Sequence, residues 1–219
     1  MQIYFVRHGK TQWNQAQIFQ GAHGDSSLLL QSLIDIKKLG NYLKGTDFSA
    51  IYTSPLKRAV TTAKGLQQEL ETNLIIKTDE RLREFDLGQL EGLHFSNALA
   101  KYPEQINNLW HHPQNYDGKS IGGENYSDVI KRGKNFTQEI VQKYPKKDQK
   151  VLVISHGAAL AAILGGLLGY SLNNLRQHGG LSNTSLTILE TIDQGKNFHL
   201  IVWNETSFLE RKLVDSDSL

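Results

Sequence analysis

Four short stretches of this chain carry side chains whose types and spacing suit chemistry on phosphate. Arg7-His8-Gly9 and Ser155-His156-Gly157 each set a histidine before a glycine. Arg58 stands in Ser54-Pro55-Leu56-Lys57-Arg58-Ala59, and Glu84 in Leu82-Arg83-Glu84-Phe85-Asp86. A neutral imidazole can attack phosphorus and become a covalent carrier. An arginine fork matches phosphate oxygens two at a time. His8 is thus a candidate nucleophile, with Arg7 and Arg58 as candidate phosphate ligands. A leaving alkoxide needs a proton, and a carboxyl in apolar surroundings suits that task. Glu84 beside Phe85 fits it; Asp86 and Glu91 compete for the same role.

These groups need elements to bring them together. Ile3-Tyr4-Phe5-Val6 and Val151-Leu152-Val153-Ile154 are continuous apolar runs, the pattern of central strands covered on both faces. Each run leads into one of the two histidine motifs. Ala50-Ile51-Tyr52 is a third short strand, followed by Thr53-Ser54-Pro55. Ser54 reads as an N-cap and Pro55 as the first helical position. Leu56, Ala59, Val60, Ala63, Leu66 and Leu70 then form one apolar face at helical spacing, which places Arg58 in the first turn, where backbone N–H groups favour an anion. Tyr126 to Tyr144 marks another helix. Ala158 to Leu168 is apolar all round and predicts a buried helix opened by His156. Leu186 to Ile192 and His199 to Trp203 read as later strands joined near Asp193-Gln194-Gly195.

Alternating strands and helices predict an α/β fold, a three-layer sandwich with a mostly parallel central sheet and helices on both faces. Ligands in such sheets bind beyond the carboxyl ends of the strands. His8, Ser54 and His156 all lie just past such ends. The stretch 94–123 departs from the pattern and reads as a partly helical cap insertion within a single domain spanning 1–219.

The whole chain sets the outer bounds. It has 219 residues, 24 basic and 22 acidic side chains, and a net charge of +2, so a strongly basic nucleic-acid binder is not the default reading. There is no cysteine, which excludes a thiolate metal site or a cysteine nucleophile. The apolar run before Arg7 is too short for a signal peptide core, and Ala158 to Leu168 is too short to span a bilayer. The expectation is a cytoplasmic protein with no membrane and no nucleic-acid partner. His111-His112 and His178 lack the spacing of a ligand pair on one helical face, so no metal site is expected. Leu28-Leu29-Leu30 reads either as core or as the interface of a homodimer.

Taken together, the motifs resemble the histidine phosphatase superfamily, also called the phosphoglycerate-mutase-like family. Arg7-His8-Gly9 with Trp13-Asn14 resembles its first signature, and Ser54 to Ala59 with Thr62-Ala63 its second. Leu82 to Gly88 with Glu91-Gly92 resembles its acid loop, Gly122-Gly123-Glu124 a further recurrent element, and Ser155-His156-Gly157 its last catalytic motif. Asn183-Thr184-Ser185 is similar to a segment near the phosphate pocket. The resemblance runs in order from Arg7 to about Ser185. It implies His8 as nucleophile, Glu84 as acid then base, and Arg7, Arg58 and His156 as phosphate ligands. It also implies Asn14 as a supporting contact, a small phosphorylated metabolite as substrate, and no metal or organic cofactor.

Two departures stand out. Asp25-Ser26-Ser27-Leu28-Leu29-Leu30 replaces a Pro-Leu-Thr helix start, with Leu29 at the capping position. Phe95-Ser96 and His111-His112 stand where the mutase branch carries tyrosine-glycine and paired arginines. These differences favour a phosphomonoesterase over a phosphoglycerate mutase using the same phosphohistidine. A non-catalytic phosphate-binding module is the third reading, disfavoured because the whole constellation is present.

Overall fold

The computed structural model describes residues 1–218. In chain order its main elements are β1 (Gln2–Arg7), α1 (Gln12–Gln15), α2 (Leu30–Tyr42), β2 (Ala50–Thr53), α3 (Lys57–Glu69) and β3 (Ile76–Thr78). Then come α4 (Phe95–Lys101), α5 (Pro103–His111), α6 (Tyr126–Lys143), β4 (Lys150–Ser155), α7 (Gly157–Leu167), β5 (Leu186–Glu190) and β6 (His199–Glu205). The strands form one sheet in the order β3-β2-β4-β1-β5-β6. β1 to β4 run parallel, while β5 pairs antiparallel with β1 and β6 antiparallel with β5. This is the mostly parallel sheet that the apolar runs predict.

The continuous apolar runs work because side chains alternate across a strand and both faces here are covered. Ile3, Phe5, Val151 and Val153 pack in one core with Phe136 and Ile140 of α6 and Leu160 and Leu164 of α7. Tyr4, Val6, Leu152 and Ile154 pack in the other with Ile36 and Leu39 of α2 and Ala63 and Leu66 of α3. On the first face α6 and α7 approach closely. A Cβ built on Gly133 would lie 2.3 Å from Ile163 Cγ1, so only glycine permits that spacing. A third apolar cluster joins Phe85 and Leu90 to Ile106 and Leu109 of α5 and to Tyr126 and Val129 of α6. It seats the helices of the 94–123 stretch against the body of the fold.

Register delivers the chemistry. β1 and β4 pair with Arg7 opposite Ser155, so His8 and His156 leave the sheet side by side. The His8 amide donates to the Ser155 carbonyl at 3.0 Å, and the Ser54 amide to Ile154 O at 2.9 Å.

Three local expectations are corrected. α3 begins at Lys57 behind an N-cap Leu56 without a side-chain bond, so Ser54 is no N-cap and Pro55 no first helical residue. Asp25 Oδ2 takes the Lys57 amide at 2.7 Å instead. The edge strand β3 was not anticipated; Ile75-Ile76-Lys77 is too short to show a period. Of Leu28-Leu29-Leu30, Leu28 packs against the second core while Leu30 is 83% exposed and so is not core, and α2 starts behind an uncapped Leu29.

Candidate active site

His8 sits at the floor of a cleft that also exposes Arg7, Asn14 and Glu84. Its Nδ1 lies 2.7 Å from the Gly9 carbonyl. A carbonyl only accepts, so Nδ1 carries the ring proton and Nε2 keeps its lone pair for attack. Burial first, then the charges of Arg58 and Arg7, hold the His8 pKa well below the usual 6.5. The ring is therefore neutral at physiological pH, the state a nucleophile needs.

Arg7 is gripped on several sides. Its Nη1 donates to the carbonyls of Leu181 at 2.5 Å and Asp217 at 3.1 Å. A Cβ on Gly157 would stand 3.0 Å from Arg7 Nε, so the glycine of Ser155-His156-Gly157 leaves room for the guanidinium. Burial pushes the Arg7 pKa down to about 10 against the opposing pull of Glu84 and Asp217; it remains a cation at neutral pH.

Arg58 and His156 are buried next to this floor without lining the cleft. The His8 and His156 rings are 5.1 Å apart between centroids. Arg58 Nε donates to His156 Nδ1 at 3.2 Å, and its other donors go to the Gly21 and Gly24 carbonyls at 3.0 and 2.8 Å and to Asp25 Oδ1 at 3.2 Å. The accepting Nδ1 puts the His156 proton on Nε2, which meets Ser54 Oγ at 2.7 Å. Burial and then Arg58 hold the His156 pKa well below the usual 6.5.

Glu84 is placed by the N-terminus of α7. Its Oε1 accepts from the amides of Ala159 at 2.7 Å and Phe85 at 2.9 Å, and its Oε2 from Ala158 at 3.2 Å. Its setting is thus a fan of amide donors rather than the plain apolar pocket that Phe85 suggested. Arg132 holds this loop from behind, donating to the carbonyls of Arg81, Arg83 and Glu84 and pairing with Glu124 at 3.0 Å. Glu124 in turn takes the Asp86 amide, which accounts for Gly122-Gly123-Glu124. The competitors stand elsewhere. Asp86 and Glu91 do not line the cleft; Glu91 receives the amides of His23 and Gly24. With His23 these two carboxylates form the one cluster of three potential metal-ligating groups among the described residues, and the same contacts account for it as a brace of the 21–24 loop.

Asn14 serves both the cleft and the backbone. Its Oδ1 accepts from the Thr11 amide at 3.1 Å and hydroxyl at 3.0 Å, closing a capping box on α1. Asn183 donates to the His8 carbonyl at 3.1 Å, and the Thr184 amide reaches the Arg7 carbonyl at 3.1 Å. Thr184 adopts φ 61°, a costly conformation for a β-branched residue that surrounding contacts must enforce. Sequence reasoning missed Asp25, Ser54 as a partner of His156, and Asp217. Each acts across a long sequence separation that no local pattern signals.

The sequence matches the family model for the histidine phosphatase superfamily (branch 1) over residues 3–206. A 2,3-bisphosphoglycerate-dependent phosphoglycerate mutase of Brucella melitensis is 34% identical over 170 residues, 76% of this chain and 81% of the relative. Among solved structures, Bacillus stearothermophilus YhfR superposes with a TM-score of 0.86 at 32% identity, covering 95% of this chain and 98% of that one. A mycobacterial glucosyl-3-phosphoglycerate phosphatase complexed with VO3 gives a TM-score of 0.84 at 28% identity, covering 93% and 98%.

Proposed function

Since the chain belongs to branch 1 of the histidine phosphatase superfamily, we propose that it is a phosphomonoesterase working through a phosphohistidine on His8. The observation that carries this reading is the shared cleft of His8 and Glu84, with His8 Nδ1 tied to Gly9 so that Nε2 is the nucleophilic atom. In the first step Nε2 attacks phosphorus, the ester P–O bond breaks, and Glu84 protonates the departing oxygen. In the second, water attacks phosphorus, the P–N bond breaks, Glu84 takes the water proton, and inorganic phosphate leaves. Arg7 and Asn14 line the cleft and are assigned to the bound phosphate. Arg58 and His156 reach it by exchanging the 21–25 loop contacts and the Ser54 hydroxyl for phosphate oxygens. Until then the Arg58 charge helps to keep His8 neutral.

The identity to the Brucella mutase favours a second reading, a phosphoglycerate mutase on the same phosphohistidine. Hydrolysis is preferred because, among the described residues lining the cleft above the floor, Arg176 is the one further charged side chain, whereas a mutase must hold a carboxylate as well as phosphate. Phosphate release from an aryl phosphate by wild type and His8→Ala, both in excess chelator, tests this. Release by wild type alone is expected. With 3-phosphoglycerate and a bisphosphoglycerate primer supplied in a parallel assay, isomerised product without free phosphate would overturn it in favour of the mutase.

A further inference from the structure

The lining of the cleft is of two kinds. Its floor is ionic, but its wall is built from Ile18, Phe19, Phe95, Leu109 and Trp110. The three rings form one mutually packed set. Phe19 and Phe95 lie 4.4 Å apart between centroids, Phe95 and Trp110 5.6 Å, and Phe19 and Trp110 6.0 Å at an interplanar angle of 22°. Ile18, Phe95 and Trp110 stay only half-buried, so the wall offers apolar surface to whatever enters the cleft.

This wall is fixed in advance. The Phe19 amide donates to Leu93 O at 2.9 Å and the Phe95 amide to Gln17 O at 2.9 Å, which binds the loop after α1 to the start of α4. At the other end, the carbonyl of Leu109 accepts from Tyr126 Oη at 2.6 Å and from Arg176 Nη1 at 3.1 Å, and that of Trp110 from Arg176 Nη1 at 3.4 Å. These bonds pin the last turn of α5, which carries Trp110. Arg176, the one cation above the floor among the described lining residues, thereby gives its Nη1 to helix carbonyls. A rigid wall saves a ligand the ordering of loose side chains. A sugar hydroxyl placed against it would lose water without gaining a partner, whereas an aromatic ring would bury apolar area and meet ring faces and edges.

Resting on the phosphohydrolase reading of the same site, we propose that the leaving group is an aromatic or bulky apolar alcohol, seated on the Phe19–Phe95–Trp110 wall, in preference to a sugar or a glycerate. Phosphate enters first at the floor, and the ring beyond the ester oxygen packs on Trp110 and Ile18.

The test uses binding and turnover in parallel on the full chain. Calorimetry compares 1-naphthylmethylphosphonate, which cannot be hydrolysed, with 3-phosphonopropionate, which presents a carboxylate to Arg176. Turnover compares 1-naphthyl phosphate with glycerol 3-phosphate. Wild type should bind the naphthyl phosphonate at least about tenfold tighter. It should show a preference of at least about the same size in kcat/KM. Trp110→Ala and the milder Ile18→Ala, each checked for native-like thermal unfolding, should both shrink these ratios, with the change appearing mainly in KM. Equal binding of the two phosphonates, tighter binding of the carboxylate, or ratios unchanged in both variants would overturn the proposal. Preferential naphthyl binding without any phosphate release would instead overturn the phosphatase reading and leave the aromatic site standing.

Discussion

Arg58 Nε donates to His156 Nδ1 across 3.2 Å while both side chains are buried. That one bond sets the His156 tautomer and brings a guanidinium within reach of His8, whose pKa it depresses. Lysine would keep the charge but not the planar fork that also serves the Gly21 and Gly24 carbonyls. Arg58→Lys should therefore lower kcat/KM by about 100-fold or more, on the scale of removing a buried charged hydrogen-bond partner. Steady-state kinetics with one aryl phosphate checks this. Activity close to wild type would mean that charge alone suffices.

The two buried histidines predict how stability depends on pH. Both folded pKa values lie well below 6.5, through burial first and nearby cations second. As pH falls below about 6.5 the unfolded chain takes up protons that the folded protein does not. Stability is thus complete above that pH and is lost below it, by up to about 1.4 kcal/mol per pH unit for each histidine. Urea unfolding at pH 7.5, 6.5 and 5.5 should show the decline setting in near 6.5, and His8→Asn should flatten it by about one proton. A flat profile down to pH 5.5 would mean that the folded rings accept protons readily.

Much of this architecture was legible because its signals are local. The doubly covered strands β1 and β4 show as unbroken apolar runs, and α7 as a helix with eight buried residues out of 11. The motif residues were legible too, yet what joins them is register: Arg7 opposite Ser155 is a relation between positions far apart in sequence. The rest was hidden for the same reason. Asp25 caps α3, a task that local pattern assigned to Ser54, and it also pairs with Arg58. The cap stretch 94–123 was visible only as an irregularity, because its apolar face belongs to a cleft and a satellite core rather than to one period.

Glu84 is expected to act in both halves of the cycle. In Glu84→Gln the amide oxygen can still accept from Ala159 and Phe85, but its NH₂ would face the Ala158 N–H now 3.2 Å from Oε2. The variant should fold with a small loss of stability and lose roughly 10²- to 10⁴-fold in turnover, the usual worth of a positioned acid and base. A good leaving group needs no proton to depart, so with 4-nitrophenyl phosphate the variant should still load His8 and then stall. Quenched-flow should show a burst of nitrophenol and phosphohistidine that persists. Rapid turnover without a burst would assign the proton transfers to another group.

Asp217 joins the C-terminal segment to the floor of the cleft. Its carboxylate takes Lys10 Nζ at 3.1 Å, Arg211 Nη1 at 2.9 Å and the Val214 amide at 2.9 Å. Burial alone would raise its pKa, but these donors outweigh burial and hold it at about 2. Its main-chain carbonyl meanwhile receives Arg7 Nη1 at 3.1 Å and the Asn183 amide at 2.7 Å. The side chain thus anchors the carbonyl that orients Arg7. Asp217→Asn keeps the size and removes the charge, so Lys10 and Arg211 lose their shared counterion, although Arg211 retains Asp35 at 2.8 Å. The loss of stability should be about 2–4 kcal/mol, toward the lower end of what unpairing a buried ion costs, because Arg211 keeps one partner. With Arg7 less firmly held, the inhibition constant for inorganic phosphate should rise several-fold, about 1 kcal/mol of binding. Denaturant unfolding and phosphate inhibition measured on one preparation separate the two effects. Lost stability with unchanged phosphate affinity would make the clamp a structural tie that leaves Arg7 in place.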